Sequence, residues 1–277
     1  MKDNRVVATS VPSRTTRRVS PVPPQHGAWA FLALPVLVAV TVSPWTPVLI
    51  AMSATWIAAY PMSYFLLAIA KDRTSSRPRP GRFVRPLVTW AALVVPAGLV
   101  SVWFRPWLVW VGLAYGVSFL VNVRFARRRD ERSLPNDLLF IAQCTAMVPV
   151  TWGVAVGAQS WTVPDWAGAP AHLWLLTLAV ALILIGSTLH VKSLIRERAD
   201  ARFGTASRAF AIASLAGSAV IATAWGLPSG LWLMVPFGYC AARALLLRTP
   251  TLAPGRIGMV ELVAFVLMVA AAALAGR

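Results

Sequence analysis

Apolar runs of about 18 residues or more recur along this chain, and every second one is followed by a short loop crowded with arginine. That alternation constrains the fold more than any other feature. A helix of about 20 apolar residues crosses a hydrocarbon core of about 30 Å, so each run is a candidate transmembrane helix. Composition agrees: 58% of the residues are hydrophobic and 13% charged, far from the balance of a soluble domain. The chain is expected to be an all-α, polytopic membrane protein.

Nine spans are expected, at about 27–43, 48–70, 86–103, 107–123, 136–157, 172–190, 208–226, 229–247 and 257–275. Pro35, Pro61, Pro96, Pro149 and Pro236 fall inside them, which membrane helices tolerate. The loops settle an orientation. Of the 26 basic residues, all but Arg105 and Arg277 lie in the tail before the first span or in the loops beside even-numbered ones. The positive-inside rule puts that side in the cytoplasm, with the amino terminus inside and the carboxyl terminus outside. Trp45, Trp103, Trp107, Trp161, Trp166, Trp174, Trp225 and Trp232 gather near the opposite ends, where indole rings suit an interface.

Residues 1–24, rich in Ser, Thr, Pro and Arg, are expected to be a disordered cytoplasmic tail. Residues 25–277 then form a single transmembrane domain. The net charge of +17 does not call for nucleic acid, because the basic residues sit in short loops and make no continuous surface. Cys144 and Cys240 fall within apolar runs and read as buried hydrophobes.

Polar chemistry collects at the basic ends. Gln25 and His26 enter the first span, and Asp72 leaves the second. Asn136 and Asp137 open the fifth. His190, Lys192, Arg196, Glu197 and Asp200 follow the sixth. If helix 6 continues past the membrane, His190 and Glu197 share a face and Glu197 adjoins Asp200. Two such carboxylates offer oxygen ligands to Mg²⁺, with arginines to grip phosphate. The same segment also reads as a solvated helix whose acids offset its own arginines. Asn136 and Asp137 after Pro135 read first as a helix start. Asp72 among basic residues reads as a local ion pair. Glu261 lies inside an apolar run, where a carboxylate needs a partner, and an arginine from a cytoplasmic loop is expected to supply it. His26 has two readings, a hydrogen-bonded anchor or a functional acid, base or phosphate contact.

The stretch PQHGAWAFLALP (24–35), with NDLL at 136–139 and KSLIRER at 192–198, resembles the YwiC-like family of bacterial integral membrane proteins. That resemblance implies a membrane class and no particular reaction. The chain also resembles, in topology, the UbiA prenyltransferase superfamily. Asp200, Gly204 and Ser207 match the spacing of that superfamily's second acidic motif, Glu197 approximates its preceding acid, and Asp72 with Arg77-Pro78 stands near the first. The likeness implies a UbiA-like bundle in which Glu197 and Asp200 hold Mg²⁺ and a prenyl diphosphate.

These readings converge on a multi-pass protein of the cytoplasmic membrane with a polar pocket open to the cytoplasm. Gln25, His26, Asp72, Asn136, Asp137, His190, Lys192, Arg196, Glu197 and Asp200 would line it. Its ligand would be anionic and lipid-like, an isoprenoid or a phospholipid. The alternatives are Mg²⁺-dependent transfer from a prenyl diphosphate, a transporter, and a membrane assembly protein. The absence of Asp, Glu, Lys and Arg from the expected helix midplanes counts against an ion-coupled carrier.

Overall fold

A computed structural model describes residues 19–24, 26–73, 80–128, 130–131, 133–247 and 252–276. Among them every regular element is helical: α1 His26–Val40, α2 Val48–Asp72, α3 Gly81–Phe104, α4 Leu108–Arg127, α5 Leu134–Val156, α6 Ala171–Ile195, α7 Ala201–Trp225, α8 Met234–Leu246 and α9 Pro254–Ala275. A 3₁₀ turn, Ser229–Leu233, leads directly into α8. Eight helical runs among the described residues are long and apolar enough to cross a membrane, and α1, with 15 residues, is the short one. The chain is an all-helical, multi-pass bundle, as expected. Residues 1–18, most of the expected tail, lie outside the described residues, as does Gln25.

The boundaries depart from the hydropathy reading where hydrogen bonding and apolarity part company. Helix α1 stops at Val40 because Thr41 and Ser43 turn their hydroxyls back onto the carbonyls of Val38 and Ala39, each at 2.7 Å. Helix α7 begins at Ala201, before its apolar stretch, because Asp200 accepts the Arg202 amide at 2.9 Å as an N-cap. Helix α6 ends at Ile195, where Arg196 and Glu197 both bond back to the Lys192 carbonyl. His190 and Glu197 therefore do not share one helical face. The expected span at 229–247 divides into the 3₁₀ turn and α8, with Pro236 in the first turn of α8, where its missing N–H costs little.

Helices α1 and α6 sit inside, against α5 and α9, while α7 and α8 close one flank. Leu34, Val38, Val148, Leu184, Phe237 and Met268 are among the side chains that fill the core between them. A second apolar cluster joins Val36, Met52, Met147 and Trp107. Helix α3 packs chiefly on α2 and hardly touches α4. Only 6% of the spanning stretch of α3, and likewise of α4, is buried, against 44% for α5. Val88, Leu99, Val117 and Leu120 stand exposed, an apolar surface that suits lipid and not water.

The HGAWAF stretch has a structural explanation. Trp29 packs edge-on to Tyr60 at 5.6 Å and against Trp90 at 6.1 Å. Phe31 meets Phe265 at 5.3 Å and Phe140 at 6.2 Å. Trp56 Nε1 donates to the Leu32 carbonyl at 2.9 Å. Together these contacts dock α1 onto α2, α3, α5 and α9 by aromatic geometry.

Candidate functional site

One end of the bundle gathers the starts of the odd-numbered helices and the ends of the even-numbered ones. It carries nearly all the charge. A buried polar centre lies inside it, between α6, α7, α8 and α9.

The centre follows from helical spacing. On α9, Ile257, Ala264, Phe265 and Met268 face the core, and Glu261 falls on the same stripe. On α8, Phe237, Cys240, Ala241 and Ala244 do the same and carry Arg243 inward. On α6, Ile183, Leu184, Ser187, His190 and Leu194 form the buried face. Arg243 and Glu261 meet as an ion pair, with side chains only 4% and 6% exposed. The Ser187 hydroxyl lies beside that carboxylate. An arginine partner for Glu261 was expected, and it comes from the last turn of α8 rather than from a loop. A buried charge pair survives in hydrocarbon only with this kind of mutual neutralisation.

Beside the pair is a cavity of about 10 Å³, lined by His190, Ser207, Ser214 and Arg243 among apolar side chains. That is roughly the space one water needs. His190 Nε2, Ser214 Oγ and Arg243 Nε have no protein hydrogen-bond partner there.

From α6 through α5 to α2 and α3 runs a belt of ion pairs. Arg82 holds Asp72 at 2.8 Å, tying the start of α3 to the end of α2. Lys71 pairs with Glu131, in the turn before α5. Lys192, almost wholly buried on α6, meets Asp137 of α5 at 2.8 Å. Asn136 Nδ2 donates to the Glu131 carbonyl at 2.7 Å. Each of these contacts joins neighbouring elements.

The residues singled out from the sequence are thus spread over several contacts. Asp72, Asn136, Asp137 and Lys192 belong to the belt. His190, with Ser207 of the acidic-motif spacing, lines the buried cavity. Arg196 is exposed and Glu197 half-buried in the α6–α7 turn, while Asp200 caps α7. His26 opens α1, and its side chain lies outside what the structure describes, as does Gln25. Among the described residues no three His, Cys, Asp or Glu side chains come together as a metal site. Asp200 spends one oxygen on the Arg202 amide, and Glu197 lies half-buried three residues before it. Two carboxylates can hold Mg²⁺ together with phosphate and water, and no step is derived through such a group. Ser187, Ser214 and Arg243 escaped the sequence reading. The signal that finds them is the buried stripe containing Glu261 and its counterparts on α6–α8.

At the α4 end, Leu120, Val123, Arg124, Arg127 and Arg128 line an open recess of about 490 Å³. No carboxylate pairs with these three arginines among the described residues.

Comparison with known proteins agrees with the resemblance carried by HGAWAF and NDLL. The model of the family described as YwiC-like protein matches residues 22–152, which hold both motifs. The uncharacterized protein YwiC of Bacillus subtilis (strain 168) is 30% identical over 76% of this chain and 83% of its own length. An uncharacterized protein of Haemophilus influenzae is 26% identical over 74% of this chain and 77% of its own. No solved structure matches. His190, Arg243 and Glu261 lie beyond the part that the family model covers. On the shared signature and the extent of the Bacillus alignment, this chain belongs to the YwiC-like family.

Proposed function

We propose that this chain is a multi-pass protein of the cytoplasmic membrane whose basic end faces the cytoplasm and holds an anionic, lipid-like ligand. The amino terminus is then inside and the carboxyl terminus outside, as the loop charges require. The bilayer is the protein's surrounding partner. The ligand carries phosphate and an isoprenoid or acyl tail.

The observation that supports this reading is a surplus of guanidinium at one end. The carboxylates of Asp72, Glu131, Asp137 and Glu261 are consumed by pairs within the protein, and that of Asp200 by a helix cap. Arg124, Arg127, Arg128, Arg196 and Arg198 have no acid partner among the described residues. Arginines without internal counter-charge, at the level where lipid headgroups lie, are matched by phosphate, which their planar forks bind in two-point fashion. In this reading His190 and Lys192 sit behind the arginines, and Gln25 and His26 lie at the same level by sequence.

The test is thermal unfolding of purified protein in neutral detergent, with phosphatidylglycerol, farnesyl diphosphate or phosphatidylcholine added. The anionic compounds should raise the midpoint by roughly 5–10 °C at about a hundredfold excess over Kd. Phosphatidylcholine should not. Equal shifts with all three, or none with any, would refute the reading.

A further inference from the structure

The α4 arginines stand on a longer feature. Trp110, Leu113, Val117, Leu120, Arg124 and Arg127 are spaced three and four apart, so they form one stripe along one face of the helix. Leu113, Val117 and Leu120 are 57%, 63% and 67% exposed. The stripe is open because α3 packs on α2 and leaves α4 almost uncovered. From Leu113 to Arg127 it runs about 20 Å, at about 1.5 Å per residue. It is therefore apolar through its middle and ends in three guanidiniums around a recess of about 490 Å³.

We infer that this stripe is a phospholipid site: an anionic headgroup sits in the recess at Arg124, Arg127 and Arg128, and one acyl chain lies along Leu120, Val117 and Leu113. The inference rests on the reading that the basic end meets anionic lipid, and it names where and how. Charge and shape both select the occupant. Three unpaired guanidiniums within two turns of helix repel one another unless an anion lies between them. Hydrocarbon, not water, fits the exposed leucines next to them. A glycerophospholipid supplies both chemistries in the order in which the stripe presents them. Arg202, exposed in the first turn of α7, a helix that makes no contact with α4, serves as the comparison.

The experiment places the protein in nanodiscs of mixed phosphatidylglycerol and phosphatidylcholine, then counts retained lipids by native mass spectrometry. The unmodified chain should retain phosphatidylglycerol over phosphatidylcholine. Arg127→Ala should lower that retention about fivefold, and Arg124→Ala/Arg127→Ala/Arg128→Ala about a hundredfold, at the usual strength of a basic group near an anionic surface. Arg202→Ala should leave it unchanged. The single variant changes one exposed side chain, so its result stands even if the triple variant is poorly folded. If the unmodified chain shows no anionic preference, the reading of the whole basic end fails, and this site with it. If the preference exists but survives Arg127→Ala and the triple change, or is lost in the Arg202 variant, only the α4 site is overturned. A chain that leaves the discs as a lipid-free dimer would assign the stripe to a second copy and overturn it as well.

Discussion

Arg243 and Glu261 are each the other's only charge partner among the described residues. Removing one leaves the other charged and buried, whereas removing both leaves space that apolar atoms can fill. Glu261→Leu alone should therefore cost about 3–5 kcal/mol, and Arg243→Met with Glu261→Leu together much less than the sum of the two single changes. Equilibrium unfolding in mixed micelles, run as a double-mutant cycle, measures the difference. A purely additive result would mean the pair is not the unit described here. At this scale the sequence was partly legible. Glu261 stood out because a carboxylate inside an apolar run needs an explanation. Arg243 did not, because one more arginine near a basic loop looks like a topology signal until its helical register is followed. The sequence does not separate a capping Asp200 from a metal-binding one, since the two look identical in a string of letters.

The elements show a second pattern. Where apolarity and helicity end together, as in α5 and α9, the expected and observed boundaries nearly coincide. Where a polar segment continues or starts a helix, they do not, and α7 is the clearest case because Ala201–Ser207 is helical without being apolar. The corner between α7 and α8 depends on close approach. Gly230 lies against the Ala222 carbonyl, and a Cβ there would overlap backbone that has no room to move. The Gly230 amide also bonds the Gly226 carbonyl at 2.8 Å. Gly230→Ala should destabilise the protein by several kcal/mol, at the severe end for single changes, about 4 kcal/mol. Gly217→Ala, on α7 with open space around it, should be nearly neutral. Thermal stability of the two variants side by side checks this, and similar losses in both would place the strain elsewhere.

For the whole molecule, loop charge set the topology because it depends on counting, which tolerates errors of several residues in any one boundary. The grouping of side chains across helices does not tolerate them, which is why Asp72, His190 and Asp200 could be placed at one end of the bundle from the sequence but not assigned to separate contacts. The proposed orientation makes a direct prediction. Alkaline phosphatase fused after Ala275 should be active outside the membrane, and the same reporter fused after Leu246 should be inactive. A green fluorescent reporter at these two positions should give the reverse pattern. Matching activity at both would break the alternation.

The contact between Phe31 of α1 and Phe265 of α9 has a consequence in time. The first of these helices leaves the ribosome long before the last, and the bundle's inner seat for α1 includes a wall that does not yet exist. Until α9 arrives, Phe31 lacks that ring contact and Arg243 lacks the carboxylate it meets in the finished bundle. The same arrival thus completes an aromatic contact and neutralises a charge. A chain halted before α9 would therefore carry Arg243 buried without the carboxylate that neutralises it.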